Sequence, residues 1–385
     1  MSKLILGRRN LLKAGAASLF LAGMPIAGLA KRKPLGSISV IILEGGMDGL
    51  ATIPPIGDPD LMRMRKSISP EGYLPLNDFF GLHPSLKFYA QLMARGHASA
   101  VHATAFPYTK RSHFEGQNMI EGGGLSPFSE KTGWLGRALE LAGVAGRSLS
   151  LDMPLILRGH HENDNFYPAS IRGSSRPKAN LVNMIAMGHQ MDAAQIFTKV
   201  AHKSKENVQV PRDPASLAKY AGQAMGQADG PVASIIRVEN FDTHANQVEE
   251  GDTDAGRLAR QLSVVDDVIA GYRRGLGKAW DDAIILTLTE FGRTVAVNGT
   301  LGTDHGYGSV GLLAGGTLSG SGVIADWPGL SKKDQFEKRD LMATIDYRSV
   351  CAACLEKSLG LDHDLIASQI FHQPDLTRVF DHLFA

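Results

Sequence analysis

The chain has 385 residues, with 40 Lys and Arg against 39 Asp and Glu and a formal net charge of +1. That balance leaves no basic surplus to neutralise phosphates, so nucleic-acid binding is disfavoured. Two cysteines are too few for a disulfide framework, and the length suits one large α/β domain or two small ones.

The first thirty residues read as an address. Gly7-Arg-Arg-Asn-Leu-Leu-Lys13 is a twin-arginine pattern, followed by a weakly apolar Gly- and Ala-rich stretch to Ala30 with no acidic residue. The reading is a 1–30 signal peptide taken by the twin-arginine export machinery, with small residues Gly28 and Ala30 offering a cleavage site. A short retained anchor is the alternative, but the run is only about long enough to span a bilayer. The product is then periplasmic or secreted, with no stable membrane anchor. Processing removes Lys3, Arg8, Arg9 and Lys13 and no acid, leaving a slightly acidic chain.

Beyond the leader, strands and helices alternate. A strand, Ile38–Leu43, runs into Glu44-Gly-Gly-Met-Asp48, and an irregular stretch occupies 49–80. A helix is predicted from Pro84 to Arg95, a strand over Ala98–Ala103, and a loop from Phe106 to Phe114 that leads into a helix. Trp134–Ala142 reads as a helix and Ser148–Asp152 as a strand; 155–178 is turn-rich, and helices follow over 179–200 and 213–226. A strand beginning at Ala233 precedes an amphipathic helix with Leu258, Leu262, Val265, Ile269 and Tyr272 on one face. Another strand, Ala283–Leu288, is followed by a Gly-rich, hairpin-like piece from Gly308 to Trp327 and by C-terminal helices. Cys351 and Cys354 continue a helical apolar pattern and read as buried small hydrophobes. This alternation predicts an α/β three-layer sandwich with a mostly parallel central sheet. The whole of 31–385 is then one domain with insertions near 49–80 and 155–230.

Several strands end in acids or histidines, where a parallel sheet delivers functional side chains. Asp48 follows Gly45-Gly46; on its own it reads as a turn carboxylate. Asp242 and His244 are two residues apart and face the same side of an extended chain, within reach of one ion. Glu290 and Arg293 flank a strand exit, with a surface ion pair as the plain reading. Asp304-His305 lies among glycines, where an Asx-turn is the plain reading. Carboxylate oxygen plus imidazole suits zinc, manganese or a similar divalent cation. Ser112-His113 follows Lys110-Arg111; Ser112 reads either as a nucleophile beside anion-holding cations or as a helix N-cap. Gly159-His160-His161 reads as a solvated loop or a weaker second metal contact, and His83 and His102 as structural histidines.

Gly45-Gly-Met-Asp-Gly-Leu50, Arg111-Ser-His-Phe114, Phe241-Asp-Thr-His-Ala-Asn-Gln247, Thr289-Glu-Phe-Gly-Arg-Thr294, Gly302-Thr-Asp-His-Gly306 and Asp326-Trp-Pro-Gly-Leu330 together resemble the bacterial family catalogued as domain of unknown function 1501. That family is similar to the alkaline phosphatase and sulfatase superfamily. The resemblance implies an alkaline-phosphatase-like fold. It also implies metal ligands at Asp48, Asp242, His244, Glu290, Asp304 and His305 for one or two divalent ions, zinc or manganese. Catalytic roles fall to Ser112 (or Thr109), His113 and Arg293, with Arg293 or Arg111 on the substrate's oxygens. Two departures stand out. Phe291 replaces an expected histidine, so His305 or His113 must substitute, and the sulfatase Cys-x-Pro-x-Arg pattern is missing. The expectation is an exported metal-dependent hydrolase of phosphate or sulfate esters, acting on an anionic small-molecule or polymer substrate. The alternative is a non-catalytic cell-envelope binding or assembly protein with a degenerate metal site.

Overall fold

The computed structural model describes residues 34–150, 152–165 and 213–384. The leader and the helix expected over 179–200 lie outside the described residues. Eleven strands are described: β1 (Ser37–Leu43), β2 (Leu74–Pro75), β3 (Gly81–Leu82), β4 (Ala98–Ala105), β5 (Gly146–Ser148), β6 (Asp164–Asn165), β7 (Ala233–Val238), β8 (Ala283–Thr289), β9 (Ser309–Ala314), β10 (Gly322–Ile324) and β11 (Ile345–Asp346). β2 and β3 form a small ribbon, and the rest make one nine-stranded sheet in the order β10-β4-β9-β8-β1-β7-β5-β6, with β11 also on β4.

β1 sits at the centre and pairs parallel with both neighbours, Ile38 lying opposite Ala233 of β7 and Ile284 of β8. Every pairing in this sheet is parallel except those of β9, which runs against β4 and β8. A strand covered on both faces needs apolar side chains on both, which is why Ile38–Leu43 reads as a nearly continuous hydrophobic run. Its residues divide by parity: Ile41 and Leu43 enter one core, Ile38, Val40 and Ile42 the other.

The first core is closed by α3 (Lys87–Met93), α6 (Pro214–Met225) and α7 (Arg257–Leu276) through Tyr89, Ala218, Leu262 and Tyr272. The preceding helices are two short ones, α1 (Gly49–Thr52) and α2 (Pro59–Arg65), in the segment expected to be irregular. α4 (His113–Gly122), α5 (Trp134–Ala142) and α8 (Tyr347–Leu359) complete the longer elements, with α9 (His363–Leu365) and α10 (Phe380–Phe384) at the end. α5 and α8 cover the second face through Trp134, Leu135, Val350 and Cys354. The three layers are therefore those the alternation predicted. Cys351 and Cys354 are free and wholly buried, and burial pushes both thiols up.

Three elements differ from expectation. α3 begins at Lys87 rather than Pro84: residues 83–86 form a turn in which the Leu86 N–H bonds the His83 carbonyl, and Leu86 at the cap has no side-chain acceptor. The Asp266 carboxylate of α7 supplies the missing acceptor, taking the Phe88 and Tyr89 N–H groups at 2.8 Å each. The strand expected over Ser148–Asp152 lies earlier: β5 pairs with β7 from Gly146 to Ser148, so the two share only Ser148. The piece from Gly308 to Trp327 is no hairpin: β9 inserts between β4 and β8, so β10 pairs on the far side of β4.

His102 of β4 and His83 fasten the segment between β1 and β4. The His102 Nε2 lies 3.0 Å from the Ile53 carbonyl oxygen, and its Nδ1 accepts the Ala103 N–H, so the proton is on Nε2. His83 Nδ1 accepts the Ser85 N–H. Burial pushes both imidazoles down from 6.5 to about 4. A histidine depressed on folding adds stability that is full above its unfolded value and is lost as pH falls through its folded value. We therefore expect urea-unfolding stability to fall between pH 6.5 and about 4, with His102 contributing up to about 3 kcal/mol. The decline should be shallower in His102→Gln; an identical pH profile in that variant would contradict the assignment.

Candidate metal centre

The carboxyl ends of β1, β7 and β8 lie side by side, and a buried guanidinium joins them. Arg293 is 1 % exposed and donates from Nε to the Gly46 carbonyl (2.7 Å) and from Nη1 to Thr303 (3.2 Å). Its Nη2 serves the carbonyls of Gly45 and Phe241 and the Asp242 carboxylate, the last at 2.6 Å. These oxygens converge because Gly45 and Gly46 adopt φ 121° and 74°, and a Cβ on Gly45 would lie 2.2 Å from the Asp242 nitrogen. Arg293 is thus a strap between strand ends, and its donors do not face a substrate as expected.

Asp242 follows β7 through Asn240, a left-handed turn residue with φ 74°. Three imidazoles surround its carboxylate. His305 Nε2 is 3.2 Å and His244 Nε2 3.1 Å from Oδ1, and His113 Nε2 is 3.5 Å from Oδ2. The ligand-type atoms of His113, Asp242 and His305 all lie within 4.8 Å of one another.

The other nitrogen of each ring is already engaged. His113 Nδ1 meets Glu290 Oε1 at 2.8 Å, His244 Nδ1 meets Asp304 Oδ1 at 3.0 Å, and His305 Nδ1 meets the Arg111 carbonyl at 2.9 Å. A carbonyl or carboxylate only accepts, so these contacts put the proton on Nδ1 in the neutral rings and a lone pair on every Nε2. The His244 and His305 Nε2 atoms are 2.9 Å apart, and the buried His113 Nε2 has no hydrogen-bond partner. Lone pairs converging on a carboxylate require a shared proton or a cation, and a two-nitrogen, one-oxygen set with backing acceptors suits a divalent metal.

Electrostatics follow the same pattern. The Glu290 hydrogen bond raises the His113 pKa, outweighing burial, whereas burial lowers that of His305. Burial alone would raise Asp242, but the Arg293 ion pair overrides it and holds the carboxyl below its usual range. Asp304 is lowered against its own desolvation by hydrogen bonds from His244 and Asn298.

The other expected residues take different places. Glu290 stands behind His113 and also accepts the Gly45 N–H at 2.8 Å, so it braces that imidazole instead of joining the cluster around Asp242. Asp304 braces His244 in the same way. Asp48 turns away: it is 1 % exposed, its Oδ1 takes Arg65 Nη1 at 2.9 Å and its Oδ2 takes Gln247 Nε2 at 2.6 Å. Gln247 in turn accepts the hydroxyls of Thr243 and Thr303, beneath the two histidine loops. His113 supplies an imidazole beside Phe291, their rings 4.9 Å apart, where the expected histidine is missing. Ser112 occupies the N-cap position of α4, but its hydroxyl accepts no helix N–H. The Arg111 side chain is held by Asp340 at 2.8 Å and by Glu337, away from the role of an anion clamp. Its φ of 61°, strained for a non-glycine residue, aims its carbonyl at His305. Arg65, Gln247 and Asp340 were not singled out from sequence: Arg65 and Asp340 lie in segments with no metal-type pattern, and Gln247, although it closes the Asp242–His244 segment, has an amide side chain that is not a usual metal ligand.

Replacing Arg293 by Ala should cost about 3–5 kcal/mol, since it strands a carboxylate and four carbonyls. Arg293→Lys should recover little, lacking the five-donor fork. Urea midpoints near native for either variant would refute the strapping role.

No curated protein matches the sequence. Among solved structures, the C-terminal periplasmic domain of EcEptC from Escherichia coli is similar at 12% identity and TM-score 0.41, covering 91% of this chain and 89% of that one. The same domain in complex with Zn aligns at 10% identity and TM-score 0.38 over 74% of each chain. The lipoteichoic acid synthase LtaP from Listeria monocytogenes aligns at 9% identity and TM-score 0.38, covering 75% of this chain and 69% of that one. Scores this low assign no chemistry to the present chain. The family described as "Protein of unknown function (DUF1501)" matches residues 175–364, which include Asp242, His244, Glu290, Arg293, Asp304 and His305, so that part of the chain is similar to that family.

Proposed function

We propose that this protein is an exported metal-dependent hydrolase of phosphate or sulfate esters. One observation carries the reading: three imidazole Nε2 atoms face the Asp242 carboxylate while an acceptor occupies the opposite nitrogen of each ring. His113, Asp242, His305 and His244 would hold a divalent cation, zinc or manganese, at the carboxyl edge of the sheet. When bound, such an ion supplies Lewis acidity to an ester oxygen.

The remaining steps belong to the chain. Glu290, Asp304 and the Arg111 carbonyl fix the ring tautomers, and Arg293 holds Asp242 ionised. Ser112 precedes His113 at the start of α4, a ten-residue helix whose amino end favours a negative charge. We assign Ser112 the attacking hydroxyl: its oxygen would bond the phosphorus or sulfur as the bond to the ester oxygen breaks, the substrate alcohol would leave with the proton, and water would then cleave the enzyme ester to free phosphate or sulfate and restore the hydroxyl. The twin-arginine leader accounts for the export in this reading. Among the described residues, no helix is long and apolar enough to cross a membrane.

Purified protein should carry zinc or manganese and turn over an arylphosphate or an arylsulfate. Asp242→Asn should lose both metal and turnover, whereas Ser112→Ala should keep the metal and lose turnover roughly 10²-fold or more. Metal-free protein from its native compartment, silent on both esters after reloading, would defeat the proposal. Full metal content without turnover would favour the non-catalytic binding role. Glu290→Gln should weaken metal affinity by about 10–100-fold, as removal of a ligand's orienting partner does. Equilibrium titration checks it, and native affinity would show that the brace has no such role.

A further inference from the structure

We propose a second divalent-cation site, built from Glu140, His160 and His161, at the opposite edge of the sheet. The donor atoms of these three residues lie within 4.8 Å of one another. Their loop packs near Gly146, which opens β5 opposite Ala233, itself in register with Ile38 of β1. That is the amino edge, whereas His113, Asp242 and His305 gather at the carboxyl edge.

The loop is built for the purpose. Gly159, with φ 111°, turns the chain where a Cβ would meet Thr132 Cβ at 2.9 Å. The buried Asn163 then fastens the loop to the sheet: its Oδ1 accepts the Gly146 N–H and its Nδ2 donates to the Leu157 carbonyl, each at 2.7 Å. Between these anchors His160 is pressed inward, 8 % exposed, with His161 beside it and the two rings 5.4 Å apart.

The chemistry at His160 singles out a cation. Its Nδ1 bonds the Glu140 carboxylate, which fixes the proton there in the neutral ring. Its Nε2 is buried and has no hydrogen-bond partner. The Glu162 carboxylate stands 3.8 Å from that nitrogen, too far for a hydrogen bond and well placed to share an ion. Glu140 adds a second argument: it lies in the last turn of α5, where the helix dipole disfavours an acid and the turn itself holds no basic residue. The His160 lone pair, the second imidazole of His161 and the Glu162 carboxylate suit zinc or a similar ion, with Glu140 as the partner that orients His160. The competing arrangement is a doubly protonated His160 bridging Glu140 and Glu162, which binds no metal.

The full-length protein, stripped with a chelator, reloaded with Zn²⁺ and desalted, decides between them by elemental analysis and thermal unfolding. His160→Gln should bind about one equivalent less Zn²⁺ than the native chain and lose part of the Zn²⁺-dependent rise in Tm. Glu140→Gln and His161→Gln, at more exposed positions, test the same site if His160→Gln fails to fold. Asp242→Asn should keep the equivalent that His160→Gln removes, so the two sites fail independently. Native Zn²⁺ content in folded Glu140→Gln and His161→Gln overturns the proposal, as does a stripped native protein that takes up no Zn²⁺.

Discussion

Charge buried at a junction of strand ends is the constraint from which the rest of this structure follows. Moving a guanidinium out of water costs several kcal/mol, and only a full set of acceptors offsets it. Arg293 finds four backbone carbonyls and one carboxylate, drawn from the segments after β1, β7 and β8. Each of those carbonyls would otherwise be an unpaired acceptor where a strand stops. One side chain therefore fixes where three chain segments end and holds Asp242 in its ionised form.

Around that strap the polar groups are arranged in two layers. The inner layer presents imidazole nitrogens to Asp242; the outer layer of Glu290, Asp304 and the Arg111 carbonyl decides which nitrogen each ring presents. The outer groups are themselves held, Glu290 by the Gly45 N–H and Arg111 through Asp340. A buried Asp48–Gln247–Thr243/Thr303 network supports the loops from below. Orientation is set by the protein alone, so little reorganisation is left to ligand binding.

Much of this was legible in the sequence, for a physical reason. Strands buried on both faces announce themselves as apolar runs, and the polar residue that stops each run marks the sheet edge. Asp242, His244 and Glu290 were found in this way, Asp304 and His305 as an acid–imidazole pair among glycines, and the five do meet. The division between the groups that face Asp242 and those that brace them was not legible, because a carboxylate behind a histidine has the same residue type as one in front of it. Asp48 shows the limit most clearly: its partner Arg65 lies in a short helix inside a stretch that reads as irregular. The path of β10 was equally hidden, since no local pattern says that β9 will be inserted between β4 and β8.

That inserted strand also governs how the chain can assemble. β4 is made early but pairs through Ala98–Thr104 with Ser309–Ala314, and β1 waits for β8. Until the last third of the polypeptide emerges, both early strands keep open hydrogen-bonding edges and uncovered apolar faces. Topology of this kind slows folding and exposes intermediates to aggregation. A nascent copy interrupted before Ala283 lacks both β8 and β9, the two strands that lie between β1 and β4, and so cannot join its early strands into one sheet.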